Sequence, residues 1–294
     1  MRVIHVLAGV GPGLAALAAA LSAQPVTGSR ADTVTVTQRV LVAGDVTPAE
    51  AKRSAVEQAL AEAVRRLTGV RVQAAQLGVG EDRGGHPRDS FLSVVQLDAA
   101  GRATDYRVLD ERFVSERHAA LGTQLYLELR ALVTVERERG ATDPGFAVSV
   151  SLNDALFFDA GGSLEGNDEL VATITTTRDA WLTVFGVTGD SAQLLLPNAL
   201  MTEHRAPAGA AVELPSRDWR DRGVHFRASL PQGGSARREL LLVVATRTPV
   251  AFTPPAQAPD AGASFPLLAI QRWLVTIPLD QRAIAFAAYE VRRR

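Results

Sequence analysis

Residues 169–198 carry the clearest pattern of hydrophobic and polar positions in the chain and predict three β-strands joined by two turns. Residues 170–177 are rich in β-branched side chains and half polar, as expected for a strand with one face in solvent. Residues 181–187 place large apolar side chains on both faces, and residues 188–191 supply the Gly and Asp that a tight hairpin turn requires. Residues 193–196 form the returning strand. We therefore expect a C-terminal region dominated by strands.

Strands recur from residue 146 onward at the spacing typical of a β-sandwich. The predicted strands are 146–152, 169–177, 180–187, 191–196, 210–214, 223–229 and 239–246. The last of these is apolar on both faces, so we expect it to be a central strand. After a proline-rich linker at 253–260, residues 265–275 fit a helix and residues 283–291 fit a closing strand.

The N-terminal region predicts a long helix packed on a sheet. Thr47 is a suitable N-cap, Pro48 suits the first helical position, and Glu50 suits the capping-box partner. Alanine, valine and leucine then recur at helical spacing as far as Leu67, and Gly69 stands where a helix commonly stops. Strands are predicted at 33–42, 70–74, 105–116 and 121–136, with a loop at 78–90 and a helix or strand at 91–97.

Together these patterns predict an α+β protein with two domains. The first, at residues 33–140, is a small α+β domain with a helix on an antiparallel sheet. The second, at residues 146–294, is a β-sandwich-like domain that ends with the helix and the closing strand. Residues 136–145 are charged and then rich in turn-forming residues, which indicates the boundary.

Residues 1–23 predict a secretory signal peptide. Arg2 provides a single positive charge, apolar runs flank Gly11 to Gly13, and small residues end at Ala23. The alternative is an uncleaved membrane anchor, because the run approaches the roughly 20 apolar residues that a spanning helix needs. The interruption and the weak flanking charge favour cleavage, and no later segment predicts an integral membrane span. We therefore expect a periplasmic or outer-membrane-associated protein that is secreted across the inner membrane.

Composition excludes several chemistries and partners. The sequence has no cysteine, so it has no disulfides, no thiol nucleophile and no thiolate metal ligand. Lysine and arginine number 31 against 32 aspartates and glutamates. This balance offers no electrostatic argument for binding nucleic acid or an anionic membrane surface.

The acidic loop at 159–169 has the composition of a calcium-binding loop but not its spacing. Leu164 occupies the position where an EF-hand loop requires glycine, and Gly161 occupies its third position. An acidic hairpin loop is the favoured interpretation, because turns also require Asp, Asn and Gly, and calcium binding is the alternative. The histidines are too scattered along the sequence for local zinc ligation.

No catalytic motif stands out. The sequence has no Gly-x-Ser-x-Gly elbow and no Ser-x-x-Lys motif, and its glycine-rich Gly9 to Gly13 segment lies inside the predicted signal peptide. We therefore predict no catalytic residue, no metal site and no cofactor, and interpret the protein as non-enzymatic.

Two tryptophans suggest different roles. Trp181 lies within a predicted strand, so we expect it to pack in the core. Trp219 lies in the charged segment 217–222, where we expect it to be exposed. The sequence therefore identifies Trp219, Arg217 and Arg220 as candidate interaction residues.

Two segments of the C-terminal region carry a family resemblance. Residues 181–198 contain an aromatic-Leu-x-Val strand, a turn and a Leu-x-Pro-Asn strand end, and residues 273–278 read Trp-Leu-x-x-Ile-Pro. With the terminal Tyr289-Glu290-Val291, these features resemble the bacterial family catalogued as domain of unknown function 4384. This family has no established activity, so the resemblance implies no reaction.

The N-terminal region carries a second resemblance, over residues 35–137. An alanine-rich helix ends in Gly-Val, and Gly101, Tyr106 and Glu111 then follow at a characteristic spacing before a long closing strand. This pattern resembles the small α+β domain of flagellar assembly protein T and related outer-membrane lipoproteins. It implies an envelope location.

Our leading hypothesis is an exported, non-enzymatic envelope protein that acts as an assembly or protein-interaction module, with another envelope protein as its partner. The alternative is a module that binds carbohydrate or peptidoglycan, which would need exposed aromatic side chains on one sheet face. A third hypothesis is a hydrolase with its site between the two domains, where acidic, histidine or serine side chains would converge.

The mature chain should begin near Ala23 or Gln24, because the small residues close the apolar segment. The intact mass of the exported protein measures this directly. Recovery of a chain that retains Met1 to Leu21 in the membrane fraction would show an uncleaved anchor instead.

Overall fold

The computed structural model describes residues 31–44, 46–68, 101–118, 122–154, 156–162, 164–230, 234, 236–255 and 264–293. The fold is α+β and rich in sheet, with about 19% helix and 49% strand. The predicted signal peptide, the strand at 70–74, the loop at 78–90 and the ambiguous segment at 91–97 lie outside the described residues.

The N-terminal region is an antiparallel sheet covered on one face by a long helix. It consists of β1 (Ala31–Leu41), α1 (Pro48–Thr68), β2 (Gly101–His118) and β3 (Gly122–Arg137). The strand order is β1-β3-β2, and both pairings are antiparallel. Alternate residues of β3 from Leu127 onward are buried beneath α1, as the period of a strand with one covered face requires.

Helix α1 begins with the predicted capping box. The Glu50 N–H donates to Thr47 Oγ1 at 3.2 Å, and the Glu50 carboxylate accepts from the Thr47 N–H at 2.9 Å. Ala51, Ala55 and the alanines that follow at helical spacing are buried against the sheet. Because alanine has a short side chain, the helix can pack closely on the strands.

Where the structure describes it, the C-terminal region contains two sheets and two α-helices. Its elements are β4 (Val148–Leu152), β5 (Phe158–Asp159), β6 (Ala172–Thr176), β7 (Ala180–Thr188), β8 (Ser191–Leu196), β9 (Arg205–Ala206), β10 (Ala211–Leu214), α2 (Arg217–Asp221), β11 (Ala236–Thr246), β12 (Phe265–Pro266), α3 (Leu268–Thr276) and β13 (Arg282–Arg292). One sheet has the order β10-β6-β4. The other has seven strands in the order β12-β8-β7-β11-β13-β5, with β9 also pairing with β7.

Strand β11 is central, as its sequence predicts, and is buried on both faces from Leu240 onward. On one face Leu242 belongs to a cluster with Phe185 and with Ile270 of α3. On the other face Val243 belongs to a cluster with Ile174 of the three-stranded sheet. The seven-stranded sheet therefore lies between a helix and a second sheet.

The predicted strand at 223–229 is wrong. This segment forms only an isolated bridge, between Glu169 and Arg227. Its backbone bonds instead to the preceding acidic loop, since the Ala228 N–H donates to the Asp168 carbonyl at 2.9 Å. Side-chain alternation alone suggested a strand, but no long partner strand lies beside the segment among the described residues.

The N- and C-terminal regions meet around Glu138, whose side chain is 1% exposed. Arg282 Nη2 donates to Glu138 Oε1 at 2.6 Å, and Arg102 Nε donates to the same oxygen. Arg102 Nη1 also donates to Gln271 Oε1 of α3 at 2.8 Å. Leu268 of α3 packs against the N-terminal core, so apolar contacts accompany the buried charges.

Arg282 has further partners at the end of α3. Its Nη1 donates to the carbonyls of Leu274 and Ile277, the latter at 2.6 Å. A cation at this position is favourable because helix C-terminal carbonyls carry partial negative charge. Burial, with a smaller contribution from Arg102, lowers the pKa of Arg282, and Glu138 opposes this shift. Arg282 still remains charged at neutral pH.

Glu138→Gln should lower the free energy of unfolding by about 3 to 5 kcal/mol, because it leaves two buried guanidinium groups without their counter-charge. Asp105→Asn is the matched control. Asp105 pairs with Arg272 at the same junction at 2.9 Å, but its side chain is 64% exposed. Exposed pairs contribute under about 1 kcal/mol. Denaturant titrations measure both values, and equal effects of the two substitutions would contradict the assignment.

Candidate binding cleft

A cleft of about 470 Å³ opens at one end of the seven-stranded sheet. Residues of β7, β8, β11 and β13 line it, including Gly186, Gln193 and Leu241. Residues 225–229 border it as well, and Phe158 of β5 contributes an apolar wall. None of the lining residues belongs to the three-stranded sheet.

Strand β11 changes character along the face that forms the cleft. Val243 and Leu241 lie in the core between the two sheets, and Glu239 and Arg237 follow at alternate positions of the same strand. Alternate residues share one face, so the buried apolar surface continues into a polar cleft. The change occurs beyond the three-stranded sheet, none of whose residues lines the cleft.

Gly186 of β7 provides space at the base of the cleft. A Cβ atom at this position would lie 3.3 Å from Leu195 Cδ1, which is closer than ordinary van der Waals contact. A larger side chain would therefore push against Leu195 and occupy part of the cleft.

Three polar side chains form a connected group in the cleft. Tyr289 of β13 lies directly opposite Glu239 of β11 in the antiparallel register, and its hydroxyl donates to Glu239 Oε2 at 2.8 Å. Arg237 forms an ion pair with the same carboxylate, and its Nη2 donates to the Ser229 carbonyl at 3.3 Å. Burial and the neighbouring Glu239 raise the pKa of Tyr289 far above its usual range. Tyr289 is therefore a fixed hydrogen-bond donor at physiological pH.

The segment 225–229 is tied to the acidic loop by side-chain contacts. His225 Nδ1 lies 3.0 Å from Glu169 Oε1. Arg227 Nη1 donates to the Asn167 carbonyl at 3.1 Å, and Asn167 Nδ2 donates to the Ala228 carbonyl at 2.8 Å. These bonds hold the segment in place although it forms no strand.

The acidic loop uses its polar side chains on its own backbone. Asp168 Oδ2 accepts from the Asp159 N–H at 2.7 Å, and Asp159 Oδ1 accepts from the Gly161 N–H at 2.9 Å. Within the described part of the chain, no group of three or more His, Asp or Glu side chains is arranged to hold a metal ion. These contacts favour the hairpin-loop interpretation over a calcium site.

The predicted interaction residues Arg217, Trp219 and Arg220 lie on the short helix α2. Ser216 caps this short helix by accepting from the Trp219 N–H at 3.4 Å. Arg220 pairs with Glu213 at 3.1 Å, Arg217 is exposed, and none of the three candidates lines the cleft.

The expected contrast between a core Trp181 and an exposed Trp219 is wrong. Both side chains are half-buried. Trp219 packs against the core between the two sheets and has the Arg222 guanidinium 5.2 Å above its ring. Trp181 has the Arg205 guanidinium 5.9 Å from its ring centre. Trp219 is thus partly committed to packing.

Sequence patterns did not identify the residues that form the cleft. Arg237 and Glu239 precede an apolar run, where they resembled ordinary charged residues at a strand end. Tyr289 entered the family resemblance without a role. The sequence did offer one signal: Glu239 lies on the same strand face as the buried Leu241 and Val243. A charged side chain at such a position implies a hydrogen-bond partner on the neighbouring strand.

No family model, curated protein or solved structure matches the chain. Both family resemblances therefore stay predictions. Among the described residues, no helix combines the length and the apolar character needed to cross a membrane.

Below about pH 11, the Tyr289→Phe variant and the wild type should reach the same tyrosinate absorbance. Tyr289 contributes nothing to this absorbance, because in the folded protein it stays protonated above the ordinary tyrosine pKa of about 10. A spectrophotometric titration of the wild type and the variant measures this. The unfolded chain releases the Tyr289 proton near that ordinary pKa and the folded chain does not. The wild type should therefore lose stability as the pH rises through about 10. A smaller absorbance change in the variant than in the wild type below about pH 11 would contradict the placement of Tyr289 as a buried group bonded to the Glu239 carboxylate.

Proposed function

We propose that the protein is an exported, non-enzymatic envelope protein that acts as an assembly or interaction module, and that the cleft binds part of a partner polypeptide. The observation that carries this proposal is the cleft itself. Its volume lies within the range of about 300 to 1,000 Å³ typical of ligand sites. Its polar groups come from strands and from a segment held by hydrogen bonds, so they are preorganised.

The ionisable groups of the cleft favour binding over catalysis. Arg237, Glu239 and Tyr289 bond to one another, His225 contacts Glu169, and Arg227 donates to a backbone carbonyl. A general base has to be within reach of a substrate proton, and a nucleophile needs an adjacent base. Here each ionisable group holds an intramolecular partner, which supports a recognition surface.

The proposed architecture keeps the two predicted domains, an α+β domain at 33–140 and a β-sandwich-like domain at 146–294. The two packed sheets around Val243 support the sandwich assignment, and the cleft lies at its end. Glu138 at the junction supports a fixed arrangement of the domains, because its buried carboxylate contacts an arginine from each. The signal-like sequence at residues 1–23 supports export to the periplasm.

Carbohydrate binding is the alternative, since Phe158, Phe226 and Tyr289 line the cleft beside hydroxyl and charged groups. Phe158 is 1% exposed, and its ring meets that of Tyr289 edge-on, with centroids 5.5 Å apart. Sugar binding by β-sandwich modules relies on a broad exposed aromatic face. Phe226 packs partly buried against the same cluster, so the three rings offer no such face and the polypeptide partner is favoured.

A hydrolase site between the two domains is the least favoured hypothesis. The polar groups at the centre of the junction, Arg102, Glu138, Gln271 and Arg282, are buried, whereas the Asp105–Arg272 pair of the same junction is exposed. Glu138 already accepts from two arginines, and its buried side chain has no access to substrate.

A photo-crosslinking amino acid at Gln193, which is exposed and lines the cleft, should capture a distinct envelope protein in intact cells. The same amino acid at Leu41, which is 43% exposed on the N-terminal sheet, is the control and should not capture that protein. Adding Gly186→Leu to the protein that carries the crosslinker at position 193 should abolish capture, because leucine fills the base of the cleft.

Capture that is equal at both positions, or that persists in the Gly186→Leu background, would contradict the cleft as the binding site. Sedimentation of the mature protein with purified peptidoglycan, lost in Gly186→Leu, would instead support the carbohydrate alternative. Circular dichroism of the Gly186→Leu variant verifies that the fold is intact.

A further inference from the structure

The charged side chains that line the cleft carry an excess of positive charge. Arg227 and Arg237 oppose one carboxylate, that of Glu239, which leaves a net charge of +1. The Glu169 carboxylate lies just outside the lining, 3.0 Å from His225, and offsets part of this excess. In a partly enclosed site, an excess of positive charge in the lining attracts an anion more strongly than it would in open solvent.

Arg237 retains donor capacity. Its Nη2 serves the Ser229 carbonyl and Glu239, whereas its Nε is buried and has no hydrogen-bond partner among the described residues. An arginine carries five N–H donors in a planar fork, and a buried donor without an acceptor is unfavourable. This Nε is shielded from solvent, so a ligand acceptor removes the penalty only when the Arg237 side chain turns to expose its Nε to the cleft.

Among the described residues, Arg227 is anchored through one nitrogen. Its Nη1 donates to the Asn167 carbonyl at 3.1 Å, which fixes the guanidinium beside the cleft. A fixed guanidinium fork matches the two oxygens of a carboxylate, and such paired hydrogen bonds are stronger than neutral ones.

Tyr289 limits the repulsion that Glu239 would exert on an anionic ligand. Its hydroxyl donates to Glu239 Oε2 and Arg237 neutralises the same carboxylate. The Glu239 carboxylate therefore has both a hydrogen-bond donor and a counter-charge within the protein.

We infer that the cleft binds a carboxylate of the partner polypeptide, with Arg227 and Arg237 as the recognition residues. This inference rests on the proposed interaction function and names the chemistry that the cleft selects. The carboxylate belongs either to the chain terminus of the partner or to an Asp or Glu side chain, and both present the same two oxygens.

Three peptides separate these sources in a ligand-detected NMR titration of the mature full-length protein. They are acetyl-Ala-Ala-Ala with a free terminal carboxylate, the same peptide with a terminal amide, and acetyl-Ala-Glu-Ala with a terminal amide. At least one carboxylate peptide should bind about tenfold or more tightly than the uncharged amide, as expected for a charge-assisted contact worth about 1.5 kcal/mol or more. The tighter of the two identifies the source.

Arg227→Gln should weaken carboxylate binding about tenfold, and Arg227→Lys should give an intermediate loss because lysine keeps the charge without the fork. Arg205→Gln is the matched control, since Arg205 is an exposed arginine outside the cleft that pairs with Asp179. The Arg205→Gln variant should bind the carboxylate peptide with the affinity of the wild type. Thermal melts verify that each variant is folded.

Equal binding of the amide peptide, unchanged affinity in Arg227→Gln, or no binding of any peptide would overturn the inference. If the crosslinker at position 193 still captures a partner in cells, only the carboxylate inference fails and the interaction function stands. If capture also fails, the proposed function falls with it.

Discussion

A buried carboxylate, that of Glu138, joins the N-terminal sheet to the C-terminal helix and strand. Removing a carboxylate from water is costly, and the charge is tolerated because Arg102 and Arg282 surround it. Arg282 also donates to the carbonyls of Leu274 in α3 and of Ile277 just after it, and is the first residue of β13. The ion cluster therefore fixes the point where β13 begins.

The cleft depends on this starting point through strand register. Arg282 lies opposite Thr246 on β11, and with this register Tyr289 lies opposite Glu239. A shift of one residue would turn Tyr289 to the other face of the sheet and leave Glu239 without its donor. The cleft and the domain junction lie at opposite ends of β13, so one strand connects the structural constraint to the candidate binding site.

Regular elements were predictable from local sequence, whereas the cleft was not. The capping box at Thr47 and the long alternating strands specify their own conformation. The two-residue strands β5, β9 and β12 are too short to show any period, and the segment 223–229 alternates without pairing as a strand. Arg227, Arg237 and Tyr289 come together only through loop contacts and cross-strand register, which no local pattern encodes.

The central claim is that the buried ion cluster makes the two regions unfold as one unit. All three tryptophans, Trp181, Trp219 and Trp273, lie in the C-terminal region, whereas α1, with 21 residues the longest described helix, lies in the N-terminal region. Equilibrium denaturant unfolding of the wild type, followed by tryptophan fluorescence and by circular dichroism at 222 nm, therefore monitors both regions. The two curves should superimpose in a single transition. Two separate midpoints would contradict the claim.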